Sequence, residues 1–242
     1  MQDSIELTIH GEVDGGAAHL SERTLTIAAL FGLPIERGAR RVLFEPLTLR
    51  VEAGGLVLIT GPSGAGKSTL LNRIAVALAE RGDVRVVRLE EIPLPADRSV
   101  IDCFPGSVDE AAAHLGRAGL AEAHIFLRAP AELSEGQRFR YRLARFFASE
   151  DDVLITDEFA AALDRVTART VAHQVGTFVR RSVQTNHPRA VLVATTHEDL
   201  SDDLRPTVRV YKPLGYKIEI SGQTGSHRGH RGRRPGAEES GQ

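Results

Sequence analysis

Gly61-Pro62-Ser63-Gly64-Ala65-Gly66-Lys67-Ser68-Thr69 follows the apolar run Leu56-Val57-Leu58-Ile59 and precedes a helix-patterned run from Leu70 to Glu80. Strand, glycine-rich turn and helix in that order make a P-loop. The glycines let backbone N–H groups turn inward with no Cβ in the way, and the helix that follows aims the positive end of its dipole at the same spot. Gly61 through Thr69 therefore form the expected cradle for a nucleotide's phosphates. Lys67 is placed to bridge the β- and γ-phosphates, and Ser68 to offer its hydroxyl to Mg²⁺.

Outward from this stretch, an alternating run Ile5 to His10 predicts a half-buried strand, broken at Asp14-Gly15-Gly16. Leu25 to Leu33 predicts a helix ending before Pro34, and Val42-Leu43-Phe44 and Leu47 to Val51 predict strands of a small antiparallel layer. Beyond the P-loop helix, Val84 to Leu89 reads as a strand stopped by Pro93 and Pro95. An alanine-rich helical stretch from Ser99 to Glu132 follows, with Val108 to Leu115 its clearest piece, and Phe139 to Phe147 is a second amphipathic helix, giving a helical subdomain over about 99–148. Strands at Val153 to Thr156 and Ala190 to Thr195 flank a helix from Arg165 to about Arg181, and Val208 to Tyr211 and Lys217 to Ile220 close the sheet. Residues 1–220 are expected to form one α/β unit. Residues 221–242, with the basic run His227 to Arg234 and almost no apolar residue, read as a disordered tail.

Bulk properties exclude several classes. The chain has 242 residues, enough for a full core, with 42% hydrophobic and 26% charged residues and a net charge of -2, so no whole-molecule pull toward nucleic acid arises. One cysteine, Cys103, rules out an intrachain disulfide framework and thiolate zinc clusters, and it fits a reducing cytoplasm. The sequence shows no leader pattern at its start and no apolar run of membrane-spanning length, so direct membrane insertion is not expected. A tail such as 227–234 can hold phosphate backbones, although its ordinary role is a solvated end.

Val153-Leu154-Ile155-Thr156 runs into Asp157-Glu158, two carboxylates at the end of a buried strand. Nucleotide hydrolysis needs one carboxylate in the Mg²⁺ shell and a second to orient or deprotonate the attacking water. These roles go to Asp157 and Glu158 respectively.

Leu133-Ser134-Glu135-Gly136-Gln137, ahead of a helix containing Ala144-Arg145, resembles the signature of the ATP-binding-cassette ATPases, with Glu135 where that family has its middle glycine. Ala162-Leu163-Asp164 resembles the family's D-loop, and Thr195-Thr196-His197 its switch histidine. The resemblance covers roughly residues 40–198. It implies a P-loop fold of the cassette type, with a mixed central sheet, an antiparallel β layer and a short helical subdomain. It implies ATP and Mg²⁺ as ligands, and a head-to-tail homodimer closed by nucleotide. Ser134 and Gly136 would then contact the γ-phosphate held by the partner copy, with Gln137 and Asp164 completing the shared site. His197 would contact the γ-phosphate and its water.

The chain also departs from that family. No glutamine lies between Thr69 and Glu132, where transport cassettes carry one that touches magnesium; Glu90 or Glu91 is the candidate substitute. Phe159 stands where transporters have proline after the paired carboxylates. The aromatic that stacks on adenine is not evident before Val42, with Phe31 the nearest candidate and Phe44 placed rather in the core. Several stretches, among them Ile27 to Leu33 and Ala194 to Leu200, look like a soluble branch of cassette ATPases, some of which are fused to a predicted acetyltransferase domain that this sequence does not carry. The expectation is an ATP hydrolase that performs work on a soluble protein or nucleic-acid partner. Its alternative is the ATP-binding subunit of a membrane transporter.

Overall fold

The computed structural model describes residues 4–14, 21–32 and 40–222. The expected disordered tail, the basic run within it and the Gly15-Gly16 break lie outside these residues, apart from Ser221, which ends the last strand, and Gly222.

Five mutually parallel strands carry the architecture: β5 (Leu56–Thr60), β6 (Val86–Arg88), β7 (Val153–Thr156), β8 (Ala190–Ala194) and β9 (Val208–Tyr211). With the antiparallel edge strand β10 (Glu219–Ser221) they form a sheet in the order β10-β9-β5-β8-β7-β6. The central strands are buried on both faces, which is why their sequences are continuous apolar runs. Successive residues serve opposite cores. Leu56 and Leu58 face one cluster with Leu154, Val191 and Val193, while Val57 and Ile59 face the other with Val153, Ile155 and Leu192.

The second of these clusters is roofed by helix α2 (Lys67–Arg81), through Leu70, Leu71, Ile74 and Leu78, and by an antiparallel pair made of β1 (Ser4–Ile9) and β4 (Leu47–Glu52). Their register sets Ile5 against Val51, Leu7 against Leu49 and Ile9 against Leu47, all buried, as the alternation demanded. A shorter pair joins β2 (Glu12–Asp14) to β3 (Arg40–Val42). The expected strand Val42 to Phe44 is thereby corrected. Strand pairing ends at Val42, and Phe44 turns inward to complete burial.

Helix α1 (Glu22–Phe31) starts earlier than its pattern predicted because Ser21 caps it by accepting the N–H of Thr24, and Gly32 ends it in the left-handed conformation. The first cluster is covered by α3 (Val108–Arg117), the single turn α4 (Ala123–Phe126), α5 (Glu135–Ala148) and α6 (Arg165–Ser182), which together account for the expected helical region and the helix beyond it. A last short helix, α7 (Ser201–Leu204), packs on α6. The strand expected over 84–89 is shorter than its pattern. Leu89 opens a 3₁₀ turn, and Arg85 is spent on Asp152, whose carboxylate accepts the Arg85 N–H at 2.8 Å. Among the described residues no helix is long and apolar enough to cross a membrane.

Candidate nucleotide site

The P-loop leaves β5 at Gly61, whose φ of +143° no side chain adopts comfortably. A Cβ there would lie 2.1 Å from the Lys212 carbonyl oxygen, so glycine lets the loop pass against the end of β9. Gly64 and Gly66 also have positive φ, with open space where a side chain would stand. Gly66 caps α2 without any side-chain hydrogen bond, leaving the helix's positive end free of a competing acceptor. Lys67 is 9% exposed and donates from Nζ to the carbonyls of Gly61 and Pro62, each at 2.9 Å. An ammonium has three donors, so one is left over.

Because β5, β7 and β8 run parallel, their carboxyl ends emerge side by side. They frame a cleft of about 570 Å³ lined on the loop side by Ser63, Gly64, Gly66, Lys67 and Ser68. Asp157, Glu158 and Ala161 from the turn after β7, and Thr195, Thr196 and His197 from the turn after β8, form the other wall. The expected residues Lys67, Ser68, Asp157, Glu158 and His197 are thus brought into one cleft. The oxygens of Ser68 and Asp157 are a hard donor pair of the type Mg²⁺ takes.

The two turns are bonded into one unit. Asp157 Oδ1 accepts the N–H of Glu158 at 2.9 Å, and Glu158 itself has a φ of +47°. The Phe159 N–H donates to Ala194 O at 3.0 Å. The Thr195 hydroxyl donates to Phe159 O and accepts the N–H of His197 at 3.1 Å. Proline at 159 could not donate to Ala194 O, which gives the departure at that position a physical reason. The Phe159 ring is fully buried and meets Phe139 of α5 edge-on at 5.4 Å. Beyond His197, Arg169 Nε donates to Asp203 Oδ2 at 2.8 Å, and Arg165 pairs with Asp199.

The remaining expected residues lie elsewhere. Ser134 caps α5 in a capping box, accepting the Gln137 N–H at 3.4 Å while Gln137 Oε1 accepts the Ser134 N–H at 3.0 Å. Gly136 sits against the D-loop, where a Cβ would come 3.0 Å from both Ala162 O and Leu163 Cδ2. Asp164 caps α6, accepting from Val166 and Thr167, and hydrogen bonds from Thr167 above all hold its carboxyl below the usual range. Within one copy of the chain none of these four lines the cleft. Of the two carboxylates considered in place of the missing glutamine, Glu90 shares a smaller recess of about 290 Å³ with Asp157, Glu135 and Arg142, and Glu91 does not. Phe31 lies at the exposed end of α1 and lines no part of the cleft, so the adenine assignment made there is not supported.

Residues 37–193 match the model of the AAA ATPase domain family. The aliphatic sulfonates import ATP-binding protein SsuB 3 of Rhodococcus jostii is 31% identical over 224 residues, spanning 82% of this chain and 80% of that protein. The chain belongs to the ATP-binding-cassette ATPases. It is an ATP hydrolase. SsuB 2 of Streptomyces avermitilis is 34% identical over 75% of each chain. The tylosin resistance ATP-binding protein TlrC of Streptomyces fradiae is 41% identical over 121 residues, but the cassette spans only 22% of that longer protein. Among solved structures, the dimeric post-hydrolysis state of the cassette MJ0796 superposes with a TM-score of 0.60 at 16% identity, covering 89% of this cassette and 98% of that chain. That likeness establishes the shared fold.

Lys212 and Tyr216 line a second groove together with Gly64 and Gly66 of the P-loop, a placement that the sequence does not announce. The only signal was the Pro213 and Gly215 interruption after the β9 run, which marks a loop but gives no hint that it returns to the P-loop.

Proposed function

We propose that this cassette ATPase holds Mg-ATP in the cleft between Gly61–Thr69 and the turns after β7 and β8, and that hydrolysis there opens a dimer that ATP has closed. Lys67 takes the β- and γ-phosphates with its remaining donor. Ser68 and Asp157 hold Mg²⁺, which supplies charge neutralisation on the phosphates. Glu158 orients and deprotonates the attacking water, and His197 contacts the γ-phosphate beside it. The single observation that carries this reading is the convergence of Lys67, Asp157, Glu158 and His197 from three parallel strands on one cleft.

Ser134, Gly136 and Gln137 stand away from that cleft at the exposed start of α5. This supports a site completed by a second copy, whose signature helix would bring its positive end, with the Ser134 hydroxyl at its cap, to the γ-phosphate. Light-scattering mass of the Glu158→Gln protein tests it. The expected result is a dimer with Mg-ATP, a monomer without it, and no dimer when Lys67→Ala is added. A monomer under saturating Mg-ATP overturns the homodimer.

For the partner, the relatives favour a transport assembly over the soluble partner that the sequence departures pointed to, since SsuB is named as an import ATP-binding protein. We therefore assign this cassette to the ATP-binding side of a membrane transporter. Tagged full-length chain drawn from detergent-solubilised membranes should bring down a polytopic subunit in stoichiometric amount. Recovery of the chain from the soluble fraction alone would return the soluble reading to first place.

A further inference from the structure

A second groove, of about 650 Å³, opens on the other side of the P-loop. Gly64 and Gly66 line both it and the phosphate cleft, so a molecule whose phosphates rest on those residues continues directly into it. Its walls are Tyr216 and Leu214 from the loop after β9, and Val42 and Leu43 from the end of β3. Tyr216 is 61% exposed, Leu214 71% and Val42 46%, so large apolar surfaces gather here that none of the described residues covers. Neither aromatic considered from the sequence serves this groove: Phe31 does not line it, and Phe44 is completely buried.

The loop that carries Tyr216 is held in shape. Lys212 is 1% exposed, and its N–H donates to Thr60 O at 2.8 Å, anchoring the loop to the strand that leads into the P-loop. Its ammonium turns back to donate to Pro213 O at 2.9 Å and Gly215 O at 2.5 Å, closing the loop around itself. On the far side, Tyr216 O accepts the N–H of Glu45 at 3.0 Å. The ring therefore stands on a backbone fixed at both ends, and little ordering remains to be done when something stacks on it.

From this geometry we infer that Tyr216 is the platform for the nucleotide base. The cassette thus takes its stacking ring from the C-terminal side of the sheet rather than from the segment before β3. The inference rests on the proposed ATP site. A planar heteroaromatic base is the ligand such a wall fits, because a phenol ring and flanking aliphatic chains bind its face. Among the described residues lining the groove no side chain is a carboxylate or carboxamide, and the one aliphatic hydroxyl, that of Thr69, can donate or accept and so suits the edge of adenine and of guanine alike. Face recognition without edge discrimination makes the site tolerant of the purine, with ATP and GTP bound within about 3-fold of each other.

Calorimetric titration of the full chain with Mg-ATP, Mg-GTP and inorganic triphosphate tests this. Tyr216→Ala should raise the Kd for ATP and GTP by about 10-fold and leave that for triphosphate unchanged, while Tyr216→Phe stays within about 2-fold of wild type. An equal loss for ATP and triphosphate would mean that the substitution disturbs the cradle, and no loss for either would mean that the base lies elsewhere; each overturns the platform. GTP binding weaker than ATP by about 30-fold or more would overturn face-only recognition. A wild-type chain that binds triphosphate and ATP alike refutes the base groove but leaves the phosphate site standing. A wild-type chain that binds neither defeats both.

Discussion

The backbone N–H of Phe159 donates to the carbonyl of Ala194 at 3.0 Å, so the turn that carries Asp157 and Glu158 is stitched to the end of the strand that leads to His197. Phe159→Pro removes this bond and the buried ring together. A buried acceptor left unmet costs about 1–3 kcal/mol and truncation of a core phenylalanine about 3–5 kcal/mol, so the loss of stability should be at least about 3 kcal/mol. Phe159→Leu keeps the bond and should cost less than half as much. Urea midpoints for the two variants decide it, and equal midpoints would mean that the stitch contributes nothing.

In the helical region, Ser107 caps α3 by accepting the Glu110 N–H at 3.3 Å while the Glu110 carboxylate accepts the Ser107 N–H at 2.8 Å. Ser107→Ala should destabilise the chain by about 1 kcal/mol. Ser107 lines neither nucleotide groove, and the rate of phosphate release per folded molecule should not change. A drop in that rate would show that α3 is coupled to catalysis.

Asp164 sets an acid limit. Its carboxyl titrates below the unfolded value of about 3.9, so around that pH the unfolded chain binds more protons and stability rises with pH. The contribution is complete above the unfolded pKa and is lost as pH falls through the lower folded value. Asp164→Asn keeps an oxygen at the cap and removes the charge. The gap in urea midpoint between the two proteins should hold steady at neutral pH and close below about pH 4. A gap independent of pH would assign the cap's benefit to geometry alone.

Gly61→Ala places a methyl group 2.1 Å from Lys212 O in a backbone conformation that side chains avoid. The strain and overpacking together should cost about 2–4 kcal/mol. ATP affinity should fall more than for Gly64→Ala, where a Cβ meets nothing within 4 Å. Matching titrations of both variants with Mg-ATP check the order. Equal losses would point to φ alone rather than to contact with β9.

What the sequence made legible was local. The P-loop, the carboxylate pair and the run before His197 each announce themselves because strand ends in a doubly covered sheet are continuous apolar stretches followed abruptly by polar residues. The cap residues Ser107, Ser134 and Asp164 sit where short polar side chains precede amphipathic runs. The elements that failed to declare themselves depend on distant partners. The start of β6 is displaced by the Asp152 carboxylate, some 67 positions away in the chain. Tyr216 reaches the cradle from the opposite end of the sequence, and no pattern of its own neighbours records the company it keeps. The missing glutamine pointed to a soluble partner, whereas the relatives are named as import ATP-binding proteins, and Glu90 lines one recess with Asp157.

The closed ring that the Lys212 ammonium makes with the carbonyls of Pro213 and Gly215 bears on how this chain can change over generations. Leu214 and Tyr216 are both exposed, yet each is tied to the groove it lines, 214 to an apolar side chain and 216 to an aromatic ring. The number of residues between them and Lys212 is fixed as well, because one inserted or deleted residue moves the carbonyls that the ammonium needs. Lineages descended from this sequence should therefore keep the length of that segment, its lysine and the ring at 216, while exchanging one apolar residue for another at 214.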